Sequence, residues 1–357
     1  MDHPLRRTAL SARLPELHVD AVLVSHLPNV RYLTGFTGSN GQVLVGVNES
    51  VFLTDGRYQE QSRREVPELD RVTYLHGLEG PLAEVCARLG VTRMGFEATV
   101  VTVRQHAQLT AKLPGVELVA LQDAVERLRW VKDPEELAHL RSAQGATDQA
   151  FEDVMDFLAI GQTERQVARE LEHLLRRDGA DGLAFESIVA FGENAAEPHH
   201  EPSHRLLEEG DVIKMDFGAL WEGYHADMTR TIAFGSPATE LRKIHDVVRE
   251  AQQAGIDAVR AGVNGQVVDA AARAVIEDAG YGPSFLHGLG HGVGLEIHEG
   301  PRLGKGFDHV LPTGAVVTVE PGIYIPGLGG VRIEDMVEVT DDGCRVLGSA
   351  VRDLIEL

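Results

Sequence analysis

The chain has 357 residues, more than one hydrophobic core usually accommodates, so two domains are expected. Its 33 Lys and Arg against 55 Asp and Glu leave a net charge of -22, which repels phosphate backbones and anionic lipid and excludes nucleic-acid or membrane binding as the main role. Cys86 and Cys344 are the only cysteines, which excludes a disulfide framework, and no run of about 18 apolar residues offers a transmembrane helix, so a soluble, cytoplasmic protein is expected.

In chain order, short apolar runs alternate with amphipathic ones. Residues 21–26, 42–47, 50–55, 71–75 and 116–121 read as strands by their length and β-branched content. Between them, 58–66, 81–90 and 103–113 read as helices, giving a small α/β domain over residues 1–122 and a linker over 123–132. A second domain, 133–357, opens with a helix over 132–158, for which Asp133 is the N-cap and Pro134 the first helical residue. Another helix spans 163–179, opened by Thr163 and closed by Gly179. The remainder is strand-rich, with further helices near 237–261 and 265–279.

Chemistry becomes visible in "DVIKMDFGALWEGYHADMTRTIAF" (211–234), two β-type runs around the turn candidate "LWEG". Folding about Trp221 and Glu222 sets Asp216 opposite Asp227, where two like charges need a reason such as a shared cation. The pattern recurs in "GAVVTVEPGIYIPGLGGVRIEDMVEV" (314–339), where Glu320 and Glu334 lie symmetrically about Gly327, although Pro321 and Pro326 disturb any ladder there. His291, in "GLGHGVGLEIHEG" (288–300), is framed by Gly290, Gly292 and Gly294, which let backbone approach a crowded centre. Asp216, Asp227, His291, Glu320 and Glu334 together suit a two-metal site with bridging carboxylates. Oxygen-dominated ligation favours Mn²⁺, with Co²⁺, Zn²⁺ or Fe²⁺ as alternatives. Residues two apart on a strand share a face, so Arg332 lies beside Glu334, Thr229 beside Asp227 and Lys214 beside Asp216. Arg332 and Thr229 are candidates to orient ligand carboxylates; Lys214 has no evident role.

"MDFGALWEGYHADMTRT", "GLGHGVGLEIHE", "VEPGIY" and "VRIEDM" resemble, in order, the blocks of the M24 metallopeptidases of the pita-bread fold, a family that includes methionine aminopeptidases, aminopeptidase P and prolidase. The resemblance covers roughly residues 130–350. It implies an α/β (α+β) chain: a creatinase-like N-terminal α/β domain followed by a pita-bread domain with a pseudo-twofold axis. It also implies two divalent metal ions per subunit, with Asp216 on one, Asp227 and Glu334 bridging, and His291 and Glu320 completing the second. Glu320 is then the candidate general base, and His298, His199 and His287 are substrate-facing histidines. "VRYLTGFTGSNGQVLV" (30–45) and "FLTDGRYQEQ" (52–61) resemble the N-terminal domain of aminopeptidase P, prolidase and creatinase, which methionine aminopeptidases lack. The implied activity is hydrolysis of the N-terminal Xaa-Pro bond of a dipeptide or short peptide by a homodimer. One departure is "NAAEPHH", in which Ala195 and Glu197 stand where the family commonly has serine and an apolar residue.

A dipeptide substrate needs a cation for its carboxylate, for which Arg31, Arg57 and Arg332 are candidates. Two alternatives remain at this point: another aminopeptidase on the same fold, and a catalytically silent peptide-binding protein.

Overall fold

The computed structural model describes residues 1–177 and 179–357, which divide into two compact units, Met1–Arg129 and Trp130–Leu357. The first unit is built on one mixed six-stranded sheet. Val22 and Leu23 of the strand Ala21–Val24 pair antiparallel with Val45 and Leu44, and the same strand runs parallel to Arg93–Glu97 on its other side. Ser50–Asp55 and Asp70–Tyr74 extend one edge, and Glu117–Leu121 closes the other.

The five strands expected from sequence are all present, but Arg93–Glu97 and the helices His3–Ala12 and Leu27–Thr34 were not anticipated. Arg93–Glu97 carries glycine in mid-strand, which weakens the β signal. The reason for that glycine is packing, since a Cβ at Gly95 would stand 2.4 Å from Leu121 Cδ1. The stretch 123–132, read as a linker, contains the short helix Glu126–Arg129.

In the second unit the helix Pro134–Met155 begins as expected, with Asp133 accepting from the amides of Glu135 and Glu136 at 2.9 Å while Glu136 caps in return. Glu164–Arg177 follows, with Thr163 Oγ1 accepting from Gln166 N at 3.2 Å; residue 178, inside the expected 163–179 helix, lies outside the described residues. These two helices pack through Ala150, Phe151, Leu171 and Leu175 onto the strands Ile188–Phe191, Val212–Phe217 and Met228–Ala233. A second pair, Thr239–Ala258 and Gly265–Asp278, packs through Ile244, Val248, Ala272 and Ile276 onto Val316–Val319 and Asp335–Val339. Each half is thus a helix pair followed by a sheet that ends in a long hairpin, the pseudo-twofold architecture. Truncating one of the wholly buried aliphatic residues in either core to alanine costs about 2–5 kcal/mol.

Candidate active site and metal centre

The two hairpins set the site. In the first, Glu222 (φ 48°) and Gly223 (φ 76°) are the central residues of a two-residue turn with both φ positive, the type I′ geometry that matches strand twist. The turn therefore centres between Glu222 and Gly223 rather than between Trp221 and Glu222. The ladder pairs Asp216 with Thr229, so the expected direct opposition of Asp216 and Asp227 does not occur. The slip is two residues, and a strand's period is two, so Asp227 keeps the same face as Asp216 and lies diagonal to it. The slip also removes the like-charge pair from direct opposition.

In the second hairpin Val319 pairs with Asp335, and Gly322 with Arg332, one register that sets Glu320 level with Glu334. Pro321 has no N–H, and the ladder opens at this level. Glu320 N instead donates to Leu289 O at 2.9 Å, and Glu334 N to Thr229 O at 3.0 Å. The second of these bonds ties one hairpin to the other.

His291 sits on the short strand Gly290–Gly292 between Glu299–Leu303 and Val316–Val319. Its flanking glycines are required by neighbouring strands: a Cβ at Gly290 would stand 2.0 Å from Thr318 O, and one at Gly292 2.1 Å from Gly300 O. His291 Nδ1 lies 3.0 Å from Gly292 O and donates to it, which turns Nε2 toward the carboxylates. From Nε2, Glu320 Oε1 is 3.3 Å away and Asp227 Oδ2 3.6 Å. Asp227, His291 and Glu334 each offer one ligand atom, all within 4.8 Å of one another.

These residues line one cavity of about 480 Å³, together with Asp216, Arg332 and the three histidines singled out from sequence, His199, His287 and His298. The His298 ring meets that of His291 edge to face, with centroids 4.4 Å apart. Thr229 is fully buried behind the cavity wall. It accepts from Arg332 Nε at 2.9 Å and donates to Glu334 Oε2 at 2.8 Å, a relay between the guanidinium and the carboxylate. Arg332 also donates through Nη2 to Asp216 Oδ2 and through Nη1 to Tyr324 Oη at 2.8 Å. Tyr324 Oη is 2.9 Å from His287 Nε2, so one line of hydrogen bonds runs from His287 to Glu334.

Tyr324 escaped the sequence reading because it sits among isoleucines on a buried ribbon. Its signal was a phenol with no evident partner in an apolar run. Lys214, which had no evident role, turns away from the acidic cluster: Nζ donates to the carbonyls of Ala195 (3.1 Å), Glu197 and Pro198 (3.4 Å), and so pins the segment that carries His199. Burial, with the charge of Arg332, pushes its ammonium down to about 6. Arg57 of the N-terminal unit is paired with Asp55 at 2.8 Å.

The electrostatics of the acidic cluster are those of a site built around positive charge. Burial, then the charge of Glu334 and its neighbours, pushes Asp227 well above the usual carboxylate range. Burial, then Glu320 and Asp216, does the same to Glu334. Burial also works against Glu320, but the hydrogen bond and charge of His291, with His287 and Arg332, overcome it and hold Glu320 at about 2. Asp216 Oδ1 and Glu334 Oε1 are buried with no hydrogen-bond partner among the described residues. Such oxygens are costly unless a cation or donor meets them. Four carboxylates and one imidazole, with two orphaned oxygens among them, fit a divalent metal of oxygen and nitrogen preference.

Comparison with known proteins agrees with this chemistry. The sequence profile of metallopeptidase family M24 matches residues 138–341, and that of the creatinase/prolidase N-terminal domain matches residues 6–131. The chain is 40% identical over 342 residues to the uncharacterized peptidase YqhT of Bacillus subtilis, covering 96% of this chain and 97% of that one. It is 34% identical over 347 residues to the Xaa-Pro dipeptidase of Pyrococcus furiosus, with 96% and 97% covered. Its structure is similar to that of an Xaa-Pro dipeptidase from Bacillus anthracis, with a TM-score of 0.97, 38% identity, and 99% and 100% of the two chains covered.

Proposed function

This chain belongs to metallopeptidase family M24, and from that premise we propose that it hydrolyses the N-terminal Xaa-Pro bond of dipeptides or short peptides, with two divalent cations, Mn²⁺ foremost, as cofactors. The observation that carries the reading is the convergence of Asp227, His291 and Glu334, with Glu320 3.3 Å from His291, in one cavity where Asp216 Oδ1 and Glu334 Oε1 are buried without a partner among the described residues. In this proposal Asp216, Asp227, His291, Glu320 and Glu334 would hold the cations, Asp227 and Glu334 serving as ligands to both. Bound there, divalent cations supply Lewis acidity toward the scissile carbonyl and toward water.

The remaining work falls to the chain's own groups. An Xaa-Pro amide lacks the N–H by which proteases commonly hold the leaving side, so shape and side-chain donors must replace it. Glu320 takes the proton of the attacking water and returns it to the departing proline nitrogen. Burial opposes its ionisation, but the hydrogen bond and charge of His291, with His287 and Arg332, lower its pKa and keep it ionised. His298 and His199 flank the reacting carbon, hold the bound peptide and donate to the carbonyl oxygen as charge builds on it. Burial lowers the basicity of the His287 ring, so it enters as a neutral hydrogen-bond partner of Tyr324 rather than as a second cation. Arg332 and Thr229 hold Asp216 and Glu334 in orientation.

A homodimer is the assembly proposed, and the cytoplasm its location; no helix among the described residues is long and apolar enough to cross a membrane. The test is turnover by Mn²⁺-loaded protein of an Xaa-Pro dipeptide, an Xaa-Pro tripeptide and a Met-Ala peptide, with Asp227→Asn as control. Turnover confined to the proline peptides and lost in the variant supports the reading. Preference for Met-Ala identifies a different aminopeptidase, and no turnover with tight peptide binding identifies a binding protein.

A further inference from the structure

His199 is exposed in the cavity, and its ring makes no hydrogen bond among the described residues, so its direction is set by the backbone that carries it. That backbone is held from two sides. From one side, Lys214 donates to the carbonyls of Glu197 and Pro198, and Arg332 Nη1 donates to Pro198 O at 3.2 Å. From the other, the next residue, His200, lies between two carboxylates: Nδ1 is 2.6 Å from Glu197 Oε2 and Nε2 is 2.9 Å from Glu164 Oε2.

Glu164 is a fixed anchor. Its side chain is fully buried and accepts from Phe191 N, Asn194 Nδ2, Ser203 N and Ser203 Oγ as well as from His200. Those hydrogen bonds overcome the effect of burial and keep its carboxyl below the usual range. Glu197 is the opposite case, with a side chain 69% exposed. A carboxylate that open to water gains little from one surface pair. Its geometric effect is larger: it closes a loop from residue 197 to residue 200 around the two residues, Pro198 and His199, that line the cavity. Glu197 is also one of the two positions at which the chain departs from the pattern it otherwise resembles, and the partner of that departure is His200.

We propose that the Glu197–His200 pair, anchored on Glu164, is a positioning device that fixes the backbone of His199 and thereby its grip on the substrate. The inference rests on the reading of His199 as a substrate-facing group. Neither Glu197 nor His200 lines the cavity, so both act through the segment between them.

Glu197 gives a clean test because its side chain is exposed and its removal leaves the core intact. Glu197→Ala, Glu197→Gln, His199→Ala and the Glu197→Ala/His199→Ala pair are compared with the wild type as Mn²⁺-loaded protein on an Xaa-Pro dipeptide. Loss of one such hydrogen bond predicts a KM raised about three- to tenfold in Glu197→Ala, with kcat nearly unchanged. Glu197→Gln keeps an accepting oxygen and returns KM to the wild-type value. In the His199→Ala background, Glu197→Ala has no further effect, because the two act as one unit.

An activity-independent readout accompanies these rates: in protein with ¹⁵N-labelled histidine, Glu197→Ala shifts the ring resonances of His199 as well as those of His200. Unchanged KM, additive effects in the double variant, or unmoved His199 resonances overturn the positioning role. His199→Ala with wild-type KM and kcat removes His199 from the substrate, and with it this inference, while leaving the metal-centred reading standing.

Discussion

Replacing Thr229 with valine removes one hydroxyl and barely changes the shape of a fully buried side chain. That hydroxyl serves two charged groups, accepting from Arg332 Nε at 2.9 Å and donating to Glu334 Oε2 at 2.8 Å. Valine leaves a guanidinium N–H and a carboxylate oxygen facing a methyl group with no water to replace the partner. Each stranded polar group costs about 1–3 kcal/mol, so Thr229→Val, which strands two, is expected to cost about 2–6 kcal/mol in total. Taking roughly 3 kcal/mol and about 2–4 °C per kcal/mol for a domain of this size, the metal-free protein should melt roughly 6–12 °C lower. Losing the hydroxyl also frees Glu334 to rotate, and loss of such an orienting partner commonly weakens metal binding about 10–100-fold. Scanning calorimetry of stripped protein and isothermal titration with Mn²⁺ measure the two effects separately. A variant that melts within a degree of the wild type and binds Mn²⁺ with equal affinity would refute the relay.

Three further outcomes follow from other parts of the second unit. His245 is held at about 4 by burial, below its ordinary 6.5, so the unfolded chain takes up a proton that the native state refuses. Its contribution is complete above pH 6.5 and is lost as pH falls toward 4; relative to His245→Met, the wild type should lose about 2 kcal/mol between pH 7 and pH 5 in urea unfolding. Lys132 and Glu299 form a buried ion pair at 2.9 Å, so Lys132→Ala takes the cation away from a buried carboxylate next to His298 and should cost about 3–5 kcal/mol in the same assay. Gly290→Ala puts a Cβ 2.0 Å from Thr318 O and must push apart the strands that present His291; loss of Mn²⁺ binding in a folded protein, by titration and circular dichroism, is the expected result.

The elements that were legible in the sequence are those with local signals. Asp133-Pro134 marked a helix start because the cap and the first-turn proline act within a few residues. The symmetric placement of Glu320 and Glu334 about Gly327 anticipated their register because a glycine turn fixes the fold-back locally. The expected register of the first hairpin differs from the structure by two residues because it centres the turn on Trp221 and Glu222, neither of them glycine, where the structure uses Glu222 and Gly223 with positive φ. The error left the face of Asp227 correct because side-chain direction depends on parity, not on the exact partner. What stayed hidden is what long-range packing alone creates. Tyr324 meets Arg332 across a ribbon and His287 from a distant loop, and Lys214 reaches the carbonyls of a segment about twenty residues earlier. Nothing in the local pattern of a strand says which way a buried lysine will find acceptors.

Asp216, Asp227, His291, Glu320 and Glu334 are proposed together to hold a pair of divalent cations. Anomalous diffraction at the manganese edge, from crystals equilibrated with Mn²⁺, tests it most directly. Two manganese peaks are expected in the cavity, both touching Asp227 and Glu334, one also touching Asp216 and the other His291 and Glu320. A cavity without manganese in crystals whose protein still cleaves an Xaa-Pro dipeptide, or manganese bound only outside these five side chains, would contradict it.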